Sequence, residues 1–162
     1  MKPLGAPLLE AVLDAMPVAR LALRDLDDEP EALPIVFARA AGALWMPIDG
    51  KPKRSGASLG RLARLERAPR VMLVLDHYAD DWNDLWWIRL RCEAQILRGK
   101  HPDWDSAVTA LADKYPQYAD VAMFRDEPLL VRYVWTGVSW WSASPDALMR
   151  WLGEYGSLPG AT

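Results

Sequence analysis

The sequence predicts an α+β fold, mainly β: an antiparallel sheet of six or seven strands, curled into a small closed or split barrel, with short helices. Three observations predict it. Six or seven short segments carry strand patterning. Most of them are joined by hairpin-sized links or by one short helix. Only three or four segments have helical spacing, whereas a doubly wound parallel sheet needs a helix after nearly every strand. A chain of 162 residues is one domain on size grounds, here residues 1–162. The strands occupy 18–143, between helical extensions at either end.

Residues 7–16 place Leu8, Leu9, Val12, Leu13 and Met16 on one helical face, and Pro17 stops the helix. Val18–Leu23 reads as the first strand. The charged run RDLDDEPE (24–31) holds a proline and reads as a turn. Ala32–Arg39 and Ala43–Ile48 read as the next strands, joined by Ala40-Ala41-Gly42. Asp49–Gly56 is a loop of Gly, Lys, Pro and Ser. A helix over Ser58–Arg67 follows: Leu59, Leu62 and Leu65 face inward, while Arg61, Arg64 and Arg67 lie on the other side. Pro69 ends it. Arg70–Asp76 contains VMLVL, an unbroken apolar run expected of a strand covered on both faces. Leu85–Leu97 alternates: Ile88, Leu90, Cys92, Ala94 and Ile96 on one face, Arg89, Arg91, Glu93 and Gln95 on the other. A helix over Trp104–Tyr115 comes next, with Asp103 or Asp105 placed to cap it. Pro128–Trp135 and Val138–Ala143 read as two strands turned at Thr136-Gly137. Pro145–Tyr155 reads as a final helix.

Composition narrows the function classes. Apolar residues make up 51% and charged residues 25%, as in soluble globular proteins. The net charge of −3 gives no global attraction for nucleic acid or anionic membrane, so any phosphate binding is local. One cysteine, Cys92, rules out an internal disulfide and a multi-cysteine metal site. Glu10 and Asp14 interrupt the N-terminal stretch where a signal peptide keeps an apolar core. No apolar run is long enough to span a bilayer. The expected location is cytoplasmic.

Three features carry candidate chemistry. The first is the basic loop Gly50-Lys51-Pro52-Lys53-Arg54, followed by Arg61 and Arg64 on the next helix. Lysine supplies a point charge and arginine a fork for phosphate oxygens, and a helix N-terminus adds its dipole. A solvated basic loop that binds nothing satisfies the same pattern. The P-loop order and the dinucleotide glycine fingerprint are both missing. The second is DHYADDWNDLWW (76–87), which brings Trp82, Trp86 and Trp87 to a loop–strand boundary. Adjacent strand residues point to opposite faces. One of Trp86 and Trp87 therefore enters the core and the other faces a groove, a partner subunit or water. Trp140-Trp141 repeats the pattern, which favours an oligomer interface. The third is His77 at a strand end, exposed enough to serve a site but alone. His101 reads as a turn residue. No nucleophile elbow surrounds Ser55, Ser58, Ser139 or Ser142. Cys92 sits mid-strand on the apolar face and reads as inert.

Several segments together resemble the pyridoxamine 5'-phosphate oxidase-like family of FMN-binding split barrels. The narrower likeness is to its subgroup of oxidoreductases that use the deazaflavin coenzyme F-420. The segments are Ala19-Arg20-Leu21-Ala22, Pro34-Ile35-Val36-Phe37, Ile48 through Arg54, Ala68-Pro69-Arg70-Val71, Leu75 through Trp87 and Lys114-Tyr115-Pro116-Gln117-Tyr118. The likeness implies a homodimer with cofactor grooves between the chains and a small-molecule substrate. It implies that Lys51, Lys53, Arg54 and Arg61 hold the cofactor phosphate. It places the ring near Pro34, Ile35, Val36 and Ile48, with Trp87 or a C-terminal tryptophan closing it from the partner chain. Hydride chemistry would belong to FMN or coenzyme F-420, and the likeness names no catalytic residue. A different class, a non-catalytic protein that stores a flavin or haem, suits the same barrel. The chain departs from the pattern at Leu23, where relatives commonly have Thr. It departs again at Asp27-Asp28 and Glu31, in place of an Asp-Gly turn and a His, and at Arg64, in place of Asn.

Overall fold

The computed structural model describes residues 3–48, 57–124 and 127–156, with residues 57–59 described in backbone only. Seven antiparallel strands form one sheet: β1 (Ala19–Arg24), β2 (Pro30–Ile35), β3 (Ala38–Ala40), β4 (Ala43–Pro47), β5 (Arg70–His77), β6 (Trp86–Leu97) and β7 (Leu130–Ser142). Their order is β2-β1-β5-β6-β7-β4-β3. Four helices accompany them: α1 (Ala6–Ala15), α2 (Ala57–Arg67), α3 (Trp104–Lys114) and α4 (Ala147–Tyr155).

The connectivity makes this sheet a split barrel. The two edge strands, β2 and β3, are consecutive in the chain and separated by only Val36 and Phe37. So short a link forces the sheet to curl until its edges meet, yet β2 and β3 are not paired. Phe37 is buried in the gap, and Tyr115 closes it from outside the strands. The Tyr115 hydroxyl accepts the Phe37 N–H at 3.0 Å, with the Phe37 and Pro17 carbonyls at 2.7 and 2.9 Å as acceptors for its proton. Backbone groups that a closed barrel would pair across strands are satisfied here by one phenol.

The expected Ala32–Arg39 strand is therefore two strands, broken where the chain crosses between edges. A second correction concerns Thr136-Gly137. No turn forms there, because both halves of β7 pair with the same long neighbour, β6. Arg91 faces Gly137 but Cys92 faces Trp135, which leaves Thr136 as the extra residue of a β-bulge. The hairpin between β3 and β4 does turn tightly, with Ala41 at φ 48° and Gly42 at φ 69°. Positive φ at both central residues suits the right-handed twist of paired strands.

The interior is filled by the inward residues of alternating strands, among them Leu21, Leu73, Leu75, Ile88, Leu90 and Tyr133. Leu9, Val12 and Leu13 of α1 join this core, as do Leu62 and Leu65 of α2 and Leu148 and Trp151 of α4. α2 packs against β1 and β6, while α1 and α4 pack on each other. A second apolar cluster lies on the outer face of β4 and β7, where Trp45 and Leu130 meet Ala107 and Leu111 of α3. At the start of α3, Asp103 occupies the capping position without a side-chain bond; His101 Nδ1 accepts the Asp103 N–H at 3.1 Å instead. Among the described residues, no helix is long and apolar enough to cross a membrane.

Candidate functional site

Among the described residues, the outer face of β2, β1, β5, β6 and the C-terminal half of β7 carries no helix. Residues facing one another across antiparallel strands share a side of the sheet, so the register lays out this face row by row. One row runs Pro34, Arg20, Val74, Arg89, Ser139. Beside it runs Ala32, Ala22, Met72, Arg91, Gly137. A third row holds Asp76, Trp87 and Trp141. Met72 and Val74 are half-buried, so β5 is covered on its inner face alone within one chain. The unbroken VMLVL run called for cover on both.

Among the described residues, two grooves open along this face. The larger, of 680 Å³, is lined by Ala22, Ala32 and Met72 with Arg24, Arg70 and Arg91 around them. The smaller, of 520 Å³, is lined by Pro34, Leu33, Ala32 and the Arg20–Asp76 ion pair, whose atoms stand 2.9 Å apart. Ala32 is common to both. The Arg89 guanidinium lies 4.4 Å from the Trp87 ring centre, a cation–π contact that holds both side chains across the face.

The expected cofactor residues fall in several places. Lys51, Lys53 and Arg54 lie outside the described residues. Arg61 is half-buried on α2, and its charge opposes the upward push that burial gives the Tyr133 phenol inside the barrel. Pro34 lines the smaller groove. Ile35 is in the core, and Val36 is half-buried in the link between edges. Ile48 is half-buried against the core, its N–H donated to the Leu129 carbonyl at 3.1 Å. Trp87 stands on the outer face, whereas Trp86 is 1% exposed and belongs to the core. Two departures from the family pattern join each other: Arg64 pairs with Glu31 at 2.7 Å. This pair pins α2 to β2 at the rim of the larger groove.

His77 is enclosed by rings: Trp86, Trp151 and Tyr155 lie 6.2, 6.4 and 6.0 Å away, centre to centre. Tyr78 and Trp82, in contrast, are exposed at 69% and 67%. The turn carrying Trp82 is fixed by Asp81, which accepts the Asn83 N–H at 2.9 Å, and by Arg150 of α4, which donates to Asp84 at 2.7 Å. Cys92 points inward, and burial pushes its thiol up to about 12, which keeps it unreactive at ordinary pH. No group of three or more potential metal ligands occurs among the described residues.

Sequence reading missed the outer-face arginines as a set. Their signal was present in the alternation of Arg20 with Arg24 and of Arg89 with Arg91. The groove that unites them needs the order of strands, which alternation within one strand does not contain. It also missed the half-buried Lys114, whose ammonium donates to the Leu13 carbonyl at 2.8 Å and sits 3.9 Å from the Phe37 ring centre.

No family model matches the chain, and no curated protein matches it. Solved structures do. The haem storage protein HutZ from Vibrio cholerae is 13% identical, covering 85% of this chain and 93% of its own, with a TM-score of 0.65. An FAD-binding protein from Mesorhizobium loti is 18% identical over 85% of this chain and 92% of its own, with a TM-score of 0.59. A provisionally assigned pyridoxamine 5'-phosphate oxidase from Corynebacterium glutamicum is 20% identical over 85% of this chain and 88% of its own, with a TM-score of 0.53. The chain has the split-barrel fold of the pyridoxamine 5'-phosphate oxidase-like proteins.

Proposed function

We propose that two copies of this chain pair through the bare outer sheet face, bind a flavin-type cofactor (FMN or coenzyme F-420) beside it, and act as an oxidoreductase on a small molecule. The observation that carries the reading is that face itself. It combines half-buried apolar residues, Met72, Val74 and Trp87, with two grooves rimmed by arginine. A central strand such as β5 gains its second cover from a partner. The larger groove has the size of a typical ligand site, with an apolar floor and cations at its rim, which suits a small molecule bound on the same face as the cofactor. The likeness to an FAD-binding protein supports the choice of ligand. Lys51, Lys53, Arg54 and Arg61 are assigned to the cofactor phosphate, and Pro34, Ile35, Val36, Ile48 and Trp87 to its ring. A bound flavin supplies hydride transfer; the residues of this chain bind it, orient it and exclude water.

The test is cofactor titration into the purified protein, followed by absorbance and fluorescence. Binding at micromolar affinity or better is expected. Lys53→Ala and Arg61→Ala each remove a charged phosphate contact worth roughly 1.5–3 kcal/mol, about one to two decades in affinity. Unchanged binding in both variants would show that the phosphate site is wrongly assigned.

The likeness to HutZ favours a second reading, haem binding or storage without turnover. Its candidate iron ligand is His77, already held among aromatic rings. A Soret band on haem addition that is lost in His77→Ala separates this reading from the flavin one.

A further inference from the structure

We infer that the larger groove is an oxyanion-binding subsite, formed by Arg70 and Arg91, for a flat apolar molecule bearing one carboxylate or phosphate. It deepens the cofactor reading, on which it rests only for calling that anion a substrate. Arg24, at the same end, is already held by Asp28 at 2.7 Å. Arg70 and Arg91 line the groove and have no ion pair among the described residues. Glu93 faces Arg70 across the β5–β6 ladder, yet the two form no ion pair. Unneutralised guanidinium groups beside an apolar floor of Ala22, Ala32 and Met72 suit a ligand with one anionic end.

The bulge supports the assignment independently. A bulge re-aims the side chains beside it. Thr136 is the inserted residue, and its hydroxyl lies 3.4 Å from the Arg91 carbonyl. Gly137 then faces Arg91, and a Cβ at Gly137 would stand 3.3 Å from the Arg91 guanidinium. The glycine leaves room for Arg91 to lie along the sheet, at the groove wall, where a larger residue would crowd it.

Calorimetric titration of the full chain with 2-naphthoate, against uncharged 2-naphthamide, tests this. The expected result is naphthoate binding at least tenfold tighter than the amide. Arg91→Ala is expected to weaken naphthoate tenfold or more, and Arg91→Lys to recover only part, since lysine keeps the charge but loses the fork. Gly137→Val is expected to weaken it as well. Arg98→Ala, on a distant surface pair, serves as the control. Circular dichroism checks that each variant folds. Equal binding of acid and amide, or naphthoate binding unchanged in an Arg70→Ala/Arg91→Ala double variant, would overturn the inference. So would dissociation of a dimer by that double variant with naphthoate binding intact, because the arginines would then hold carboxylates of a second copy. Failure of the cofactor reading shows separately, as absence of flavin binding by the unaltered chain.

Discussion

Replacing Lys114 by methionine is expected to abolish a rise in stability between pH 6.5 and 8. Lys114 ends α3 and reaches the last turn of α1, where its ammonium donates to the Leu13 carbonyl at 2.8 Å. Asp14 and Arg39 flank it: Arg39 holds Asp14 at 2.6 Å and Glu10 at 3.5 Å. Phe37 presents its ring and Tyr115 its phenol. Burial lowers the Lys114 pKa to about 7, with the Asp14 charge opposing and the Arg39 charge assisting. Below pH 7 the ammonium is protonated in folded and unfolded chains alike. Above it the folded chain releases the proton while the unfolded chain keeps it up to 10.5. The unfolded state then binds more protons, so stability rises with pH. Integrating the two titrations from pH 6.5 to 8 gives about 1.2 kcal/mol. The carbonyl and the Phe37 ring both favour the ammonium, so this figure is an upper bound. Urea midpoints at four pH values, for the unaltered chain and Lys114→Met, make the measurement. Subtracting the two profiles removes histidine, Cys92 and the amino terminus. Parallel profiles, or a difference that falls with pH, would refute the reasoning.

Three further outcomes follow from the geometry. Tyr115→Phe leaves the Phe37 N–H without its partner in the barrel gap and is expected to cost about 1–3 kcal/mol in chemical denaturation. Ala41→Asn places a residue that tolerates positive φ where alanine is strained, and should raise stability by about 0.5–1 kcal/mol. Val74→Glu puts a charge in the middle of the bare sheet face; if two copies pair there as proposed, light scattering should find a dimer for the unaltered chain and a folded monomer for the variant, and an unchanged mass would count against pairing through that face.

Strand content, antiparallel pairing and the barrel were legible because alternation in β6 and hairpin-length links are local signals. The Trp86/Trp87 split was legible for the same reason: adjacent strand residues diverge, and Trp86 went to the core while Trp87 stayed on the outer face. The bulge was not. Thr136-Gly137 looks like a turn until the length of β6 is known to span both flanking segments. The break at Val36–Phe37 was hidden too, since an apolar run reads alike whether it continues a strand or crosses between edges. Arg64 and Glu31 looked like two separate departures from a family pattern, and only their 2.7 Å contact shows them as one exchange. The arginine groove depends on which strands become neighbours, a property of β1, β5 and β6 together.

Native mass spectrometry of the protein from its own host, with an absorbance spectrum of the same sample, reports stoichiometry and ligand at once. The expected result is a dimer that carries FMN or a deazaflavin, with the matching near-ultraviolet or visible band, and whose bound cofactor is reduced and reoxidised on addition of donor and acceptor. A monomer that takes up no flavin even when supplied in excess, or a dimer carrying haem with a Soret band, would contradict it.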